Sequence, residues 1–157
     1  MSERVKIDRT KEETVTREVE LEGLTEIMFD KYAGDNSTKL EPWQKLYFAT
    51  DGKTVVLPSL NVMSFLSAQN TNSAPKRLLD KRKYKDAANA CLSFVSINPK
   101  MIPFLRDGKP IMFKKFDGDT DPGSHIYIHR SVARLDKGIP NPKERPVLPL
   151  PWTLKFS

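Results

Sequence analysis

The sequence has few of the residues on which disulfides, metal sites and membrane spans depend. It contains one cysteine and two histidines in 157 residues. A single cysteine excludes an internal disulfide and fits a reducing compartment. Because Cys91 lies in an apolar helical run far from both histidines, we interpret it as a packing residue. No apolar run approaches the length of a membrane span and the N-terminus is charged, so we expect a cytoplasmic protein without a membrane partner.

Catalytic motifs are also missing. The sequence shows no Gly-rich phosphate loop, no paired cysteine motif and no nucleophile elbow. The segment Asp117-Gly-Asp-Thr-Asp121 is similar to the start of a calcium loop. However, Pro122 stands where the sharp turn of such a loop requires glycine, and Ile128 stands where its closing glutamate belongs. The pattern therefore favours an acidic turn between two strands.

The two histidines do not indicate a shared metal. On a strand, His125 and His129 would lie about 13 Å apart, which is too far for one ion. We therefore predict a protein without enzymatic activity or cofactor. A metal-dependent hydrolase that uses Asp117, Asp119 and His125 is kept as an alternative.

Charge is distributed unevenly along the chain. The formal net charge is +6, but residues 1–30 hold five basic and nine acidic residues, a net of −4. The other 127 residues must then hold 21 basic and 11 acidic residues, a net of +10. A basic body of this kind suggests a polyanionic partner, and the alternative interpretation is a well-solvated surface.

Apolar periodicity predicts a single α+β domain over residues 15–157, mainly an antiparallel sheet with one or two helices and β-hairpins, after a flexible segment at 1–14. Alternation at 15–24 predicts a strand with one buried face. Asp51-Gly52 and Asp107-Gly108 are hairpin signals. Helical spacing predicts helices at 61–69, with Phe65 on the inner side, and at 74–92. The C-terminal third reads as a strand from His125, a proline-rich turn region and a final apolar strand, whose end at Ser157 suggests pairing internally or with a neighbour.

Two basic clusters are candidate nucleic-acid contacts. The first lies on the second predicted helix and consists of Lys76, Arg77, Lys81, Arg82 and Lys83. The second consists of Arg130, Arg134, Lys137, Lys143 and Arg145, on strand ends and a loop stiffened by prolines. Guanidinium groups pair with phosphate and stack on bases. The alternatives are a solvated helix for the first cluster and structural arginine–carboxylate pairs for the second.

Two segments resemble the RAMP superfamily, the RRM-like RNA-binding proteins of CRISPR effector complexes. Thr54–Phe65 is similar to that superfamily's strand, proline and short helix, and Ile128–Gly138 is similar to its Arg-rich strand and glycine loop. The resemblance implies an RRM-like or ferredoxin-like fold and possible homo-oligomers. The whole chain also resembles uncharacterised bacterial and phage proteins with a Leu-Pro-x-x-Asn step, here Leu57–Asn61, and an Arg-Pro-x-Leu-Pro-x-x-Trp ending, here Arg145–Trp152. That likeness implies a mobile-element setting.

These observations predict a non-catalytic protein that binds RNA or single-stranded DNA, as a RAMP-like component of a CRISPR or mobile-element nucleoprotein complex. Tyr127, Phe113 and Phe116 are candidates for stacking on unpaired bases, although each also suits a core position. The alternative is a phage-encoded protein-interaction module that inhibits or recruits a host protein. In that case Trp43, Trp152 and the proline-rich loop would anchor the interface.

Overall fold

The computed structural model describes residues 14–35, 37–70, 73–79, 83–114, 118–134 and 138–157. The strands of this part of the chain are β1 (Val19–Glu22), β2 (Ile27–Met28), β3 (Val56–Pro58), β4 (Met101–Arg106), β5 (Lys109–Pro110), β6 (Tyr127–Arg134), β7 (Pro140–Leu148) and β8 (Thr153–Phe156). Its helices are α1 (Ser59–Ser67), α2 (Ala74–Leu78) and α3 (Tyr84–Phe94), with a 3-10 turn at Pro42–Lys45. The predicted flexible segment at 1–14 lies, except for Thr14, outside the described residues.

The strands form two antiparallel sheets. The larger sheet has the order β1-β8-β4-β3, with β5 paired to β4. The smaller sheet has the order β2-β7-β6. All three α-helices of the described residues lie between β3 and β4 in the chain. The prediction of an α+β fold with antiparallel pairing, helices and hairpins is confirmed at this level, but the described residues form two sheets rather than one and three α-helices rather than one or two.

Both Asp-Gly hairpin signals produce tight turns. Gly52 has a φ of +66°, and Ala49 donates its backbone N–H to the Thr54 carbonyl at 3.0 Å. In the second turn, Asp107 and Gly108 have φ values of +52° and +74°. Positive φ at both central positions is typical of the turn whose twist matches a hairpin, and glycine and aspartate tolerate it best. The local sequence therefore determines both turns.

The hydrophobic core lies between the two sheets. Phe29 and Leu148 enter it from the smaller sheet and its flank, and Phe104 and Leu154 enter it from the larger sheet. The rings of Phe29 and Phe104 meet edge to face, with centroids 5.7 Å apart. These contacts hold the base of β6 and β7 against the body of the protein.

The predicted N-terminal strand is shorter and more exposed than the sequence indicated. β1 covers only Val19–Glu22, and all four of its residues are exposed. Val15, which was expected on a buried face, is 66% exposed. β1 is the outermost strand of the larger sheet and pairs only with β8, so it lies at the edge of the sheet and not over the core. The prediction of a buried face is wrong for this reason.

The predicted helix at 74–92 is two helices. Leu79 has extended backbone angles and ends α2, and α3 begins at Tyr84. Ala88 is fully buried, whereas Leu78 is 81% exposed, so the two helices do not share one apolar face. α1 begins two residues before the predicted start, and Phe65 is 58% exposed rather than on its inner side.

The predicted proline-rich loop is largely a strand. β7 contains Pro140, Pro142 and Pro146, and it pairs with β6 from Tyr127↔Val147 to Arg134↔Pro140. The prolines occupy alternate positions, so all three lack an N–H on the same side of the strand. The opposite side keeps its N–H groups for the ladder with β6. β7 is the middle strand, but β2 pairs with it only at Val147 and Leu148, so the prolines lie where the other side of β7 has no partner strand among the described residues.

Two further positions were predicted differently. The strand expected from His125 begins at Tyr127, because His125 has a φ of +62° and lies in the preceding turn. Cys91 is only half-buried on α3. None of the helices in the described ranges is both long and apolar enough to cross a bilayer.

Candidate nucleic-acid interface

The pair β6–β7 forms a ribbon that extends beyond the core. At its base Ile128, Val147 and Leu148 are buried. From His129 onward on β6, the side chains are exposed or half-buried, as are those of β7 before Pro146. Six residues at a strand rise of 3.3 Å give this outer part a length of about 20 Å.

A groove of about 840 Å³ separates this ribbon from the segment 30–45. Residues from both faces of the ribbon line it. Its cationic side chains are Lys31, Lys39, Lys45, Arg130 and Lys143, and its acidic side chains are Asp30, Asp35 and Glu144. The groove therefore holds five cations and three carboxylates, an excess of two positive charges. The charges it offers to a ligand depend on which of these are already paired.

Arg130 is paired with carboxylates. Its two terminal nitrogens donate to Asp119 at 2.8 Å each, and its Nε donates to Glu144 at 2.9 Å. The hydrogen bond from Arg130 lowers the pKa of Asp119, and the two carboxylates raise the pKa of Arg130 in return. This geometry matches the structural alternative considered for Arg130. It also gives Glu144 a partner within the groove, although one guanidinium shared by two carboxylates leaves this cluster with a net charge of −1.

Asp30 holds two further cations together. Arg145 Nε donates to Asp30 at 2.8 Å, and Lys45 Nζ lies 3.4 Å from the other carboxylate oxygen. Lys45 also donates to the Glu144 carbonyl at 2.7 Å, which ties the segment 30–45 to the ribbon. Burial raises the pKa of Asp30, but the hydrogen bond from Arg145 and the charge of Lys45 outweigh it and lower the pKa below its usual value. Asp30 is therefore ionised and already compensated.

The third carboxylate is also satisfied locally. Asp35 accepts hydrogen bonds from the hydroxyls and backbone N–H groups of Thr38 and Ser37, at 2.6 to 2.8 Å. These bonds, led by the one from the Thr38 hydroxyl, lower the pKa of Asp35 far below its ordinary value. The carboxylate fixes the turn that carries Lys39. Its charge remains, but its lone pairs are occupied.

The remaining cations are available to a ligand. Within the described residues, Lys39, Lys143 and Arg134 form no ion pair. Lys31 lies over the ring of Tyr47, with Nζ 5.3 Å from its centroid. A cation over an aromatic face has no negative charge beside it, whereas one bound to a carboxylate is compensated. Lys31, Lys39 and Lys143 therefore give the groove its positive character.

The predicted second cluster is divided by the ribbon. Alternate residues of a strand point to opposite faces, so Arg130 and Arg134 lie on one face and Lys143 and Arg145 on the other. Lys137 lies outside the described residues. The structure thus brings Arg130 and Lys143 to the groove, while Arg145 supports it through Asp30. Arg134 lies at the outer end of the β6–β7 ribbon and does not line the groove.

The predicted helical cluster does not line the groove either. Lys76 lies over the ring of Tyr84 at 5.7 Å, and Arg77 and Lys83 are exposed near the ends of α2 and α3. Lys81 and Arg82 lie outside the described residues. The described residues of this cluster therefore lie on α2 or at the start of α3, and none of them lines the groove.

The aromatic candidates have structural roles. Phe113 is only 4% exposed and packs in the core, which makes it unsuitable as an exposed platform. The hydroxyl of Tyr127 donates to Glu26 at 2.8 Å, and this bond raises its pKa. Phe116 lies outside the described residues. The aromatic side chain that lines the groove is Tyr32, which is 64% exposed.

The acidic loop before β6 is a turn in its described part. Asp121 is buried and accepts hydrogen bonds from Gly123 and Ser124. Asp119 binds Arg130, and Asp117 lies outside the described residues. In the described ranges, no three His, Cys, Asp or Glu side chains come together as potential metal ligands.

Sequence reasoning missed Lys31, Lys39 and Lys45. They are spread over a loop that has no periodic pattern, and they meet the ribbon about a hundred positions further along the chain. No protein-family model, curated protein or solved structure matches the chain. The interpretation therefore rests on the geometry of the groove.

Proposed function

We propose that this protein binds RNA or single-stranded DNA without catalysing a reaction, and that the groove between the segment 30–45 and the β6–β7 ribbon receives the phosphate backbone. The observation that carries the proposal is the surplus of cations in the groove. All three of its carboxylates have partners, whereas Lys31, Lys39 and Lys143 are not ion-paired within the described residues. Phosphates that enter the groove would replace water around these lysines, and the released counterions would favour binding.

Single strands suit the groove better than a duplex. A flexible backbone can follow a groove that is bounded by a loop on one side and a narrow ribbon on the other. The exposed ring of Tyr32 lies at the groove, where it can stack on an unpaired base. A duplex keeps its bases paired and has no such contact to offer.

We also propose that this protein is related to the RRM-like RAMP proteins. It would then act in a CRISPR or mobile-element nucleoprotein complex, together with further copies of the chain. The main path of the larger sheet has four antiparallel strands, as the RRM sheet does. The outer face of β1 and β8 carries an ion pair between Glu20 and Lys155 at 3.3 Å. We therefore assign nucleic-acid contact to the groove rather than to the sheet surface.

The geometry favours this proposal over the protein-interaction module. The indole N–H of Trp152 donates to the Thr25 carbonyl at 3.0 Å, and its ring packs on Phe104 at 5.5 Å. Trp43 packs on Phe113 at 4.8 Å. Trp152 is therefore held by intramolecular contacts, Trp43 is half-buried, and the prolines expected as the third anchor lie in a strand.

The proposal is tested by reversing two groove charges and two matched charges elsewhere. We expect Lys39→Glu with Lys143→Glu to weaken binding to a labelled single strand by at least about tenfold. Each lost phosphate contact also loses the favourable entropy of counterion release. The log–log slope of affinity against salt should become shallower by roughly 0.7 for each contact. Fluorescence anisotropy between 50 and 200 mM salt, with single-stranded RNA, single-stranded DNA and duplex, measures both quantities.

The control is Lys100→Glu with Lys109→Glu, which makes the same change of charge at two exposed residues that line neither cavity. This variant should stay within about threefold of the parent protein. Equal losses in both variants would show that only diffuse charge attracts the ligand. Absence of binding by folded parent protein at 50 mM salt would refute the proposed function.

A further inference from the structure

A second cavity, of about 580 Å³, adjoins the groove. The two cavities share Lys31 and Leu40 in their linings. Trp43 and Phe48, which are half-buried, form the accessible aromatic wall of the second cavity, which we call the aromatic pocket, and the buried Phe113 supports them. A ligand that occupies the groove can therefore extend directly into the aromatic pocket.

The rings of the aromatic pocket are packed on one another. The Trp43 and Phe113 rings have centroids 4.8 Å apart, and Phe48 stacks on Phe113 at 6.0 Å with an interplanar angle of 30°. Phe113 is held in the core, and Trp43 and Phe48 are packed against it while remaining partly accessible. Rings fixed by core packing lose little freedom when a planar group stacks on them.

The rim of the aromatic pocket is polar. Gln44 accepts the backbone N–H of Glu41 through its Oε1 at 2.8 Å. Its side-chain N–H groups form no hydrogen bond with other described residues and can donate to a ring nitrogen or carbonyl. Lys31 supplies a positive charge where the aromatic pocket meets the groove. An aromatic wall, an amide donor and an adjacent cation are what a nucleotide requires of a site.

We propose that the aromatic pocket receives one unpaired base of the strand whose phosphates lie in the groove. This inference rests on the proposed function and adds a base-binding site to it. Stacking uses the face that every base has, so the site selects unpaired over paired bases with little discrimination of sequence. Lys31, which lines both cavities, is placed to contact the phosphate next to the inserted base.

The two tryptophans of the chain provide the test. Trp43 lines the aromatic pocket, whereas Trp152 is packed on Phe104 and does not line it. Trp152→Phe leaves Trp43 as the reporter, and Trp43→Phe leaves Trp152 as the matched control. Each protein is titrated with a thymidine-only DNA strand and with an abasic strand of the same length, and both binding by anisotropy and tryptophan emission are followed.

We expect the thymidine strand to quench emission in Trp152→Phe and to leave it unchanged in Trp43→Phe. The abasic strand should bind through its phosphates, about three- to tenfold more weakly, without quenching. A strand that carries 2-aminopurine gives a second measurement on the unmodified protein, where stacking on Trp43 should quench the probe and Trp43→Leu should relieve that quenching.

The outcomes separate the two proposals. If neither strand binds, the proposed function fails, and this inference fails with it. If both strands bind equally and the Trp43 emission does not change, the groove holds phosphate but the aromatic pocket holds no base. If duplex DNA quenches Trp43 as strongly as the single strand, selection for unpaired bases is refuted.

Discussion

Individual residues in this protein often serve the fold where the sequence suggested contact with a partner. Trp152 is the clearest example. Its indole covers Gly23, whose N–H donates to the Trp152 carbonyl at 2.8 Å, and its own N–H binds Thr25. A Cβ at Gly23 would clash with Cε2 of the indole. Position 23 therefore has room only for glycine while Trp152 keeps its place.

Gly23→Ala should destabilise the protein by about 1–3 kcal/mol, because the added methyl group must displace the indole. Gly123→Ala is the matched control, since its Cβ would approach Asp121 only to 3.7 Å, an ordinary contact. It should change the free energy of unfolding by less than about 0.5 kcal/mol. Urea denaturation followed by tryptophan fluorescence measures both, and equal effects would show that Trp152 moves freely.

At the scale of elements, the helices differ most from the expected pattern. Residues 74–92 were predicted as one helix with a broken apolar period, but they hold two helices, and Leu78 and Phe94 are 81% and 88% exposed. The buried position of α3 is the small residue Ala88. Apolar side chains on these helices therefore contribute less to the core than their helical spacing indicates.

Phe94→Ala should leave the free energy of unfolding within about 0.5 kcal/mol of the parent value, because an exposed ring has little packing to lose. The same substitution at the fully buried Phe104 should cost about 3–5 kcal/mol. Both values come from urea denaturation of the two variants side by side. A cost at Phe94 similar to that at Phe104 would mean that the ring is covered in solution, for example by another copy of the chain.

At the scale of the whole molecule, the two sheets depend on one core. Phe29 flanks the smaller sheet and meets Phe104 of the larger sheet at 5.7 Å, and Leu148 and Leu154 belong to the same cluster. The predicted single domain over residues 15–157 stays a prediction. If the two sheets form one domain around a shared core, they should unfold together in one cooperative transition.

Unfolding in urea should follow a single transition, with coincident curves from far-ultraviolet circular dichroism and tryptophan fluorescence. Phe29→Ala should shift both curves together, by about 3–5 kcal/mol, because the ring contacts both sheets. Circular dichroism reports the helices and strands together, whereas fluorescence reports Trp43 and Trp152. Separate midpoints for the two probes would divide the chain into independent units and refute the single domain.

The sequence alone predicted the features that depend on neighbouring residues. Asp-Gly at 51–52 and 107–108 set both hairpin turns, because so few residues accept a positive φ. The α+β class and its antiparallel pairing also followed from apolar patterns. These features are local, since a turn or a strand preference is decided by residues within a few positions of one another.

The tertiary structure alone decided which charges are paired and which line the groove. Arg130 has Asp119 and Glu144 as partners, and Arg145 has Asp30, 115 positions away. Lys31 and Lys39 contribute to the site although their loop showed no periodic signal. An ion pair depends on the distance between side chains after folding, whereas composition and periodicity report only order along the chain. The sequence therefore determined that the protein is basic, and packing determined where that charge is available.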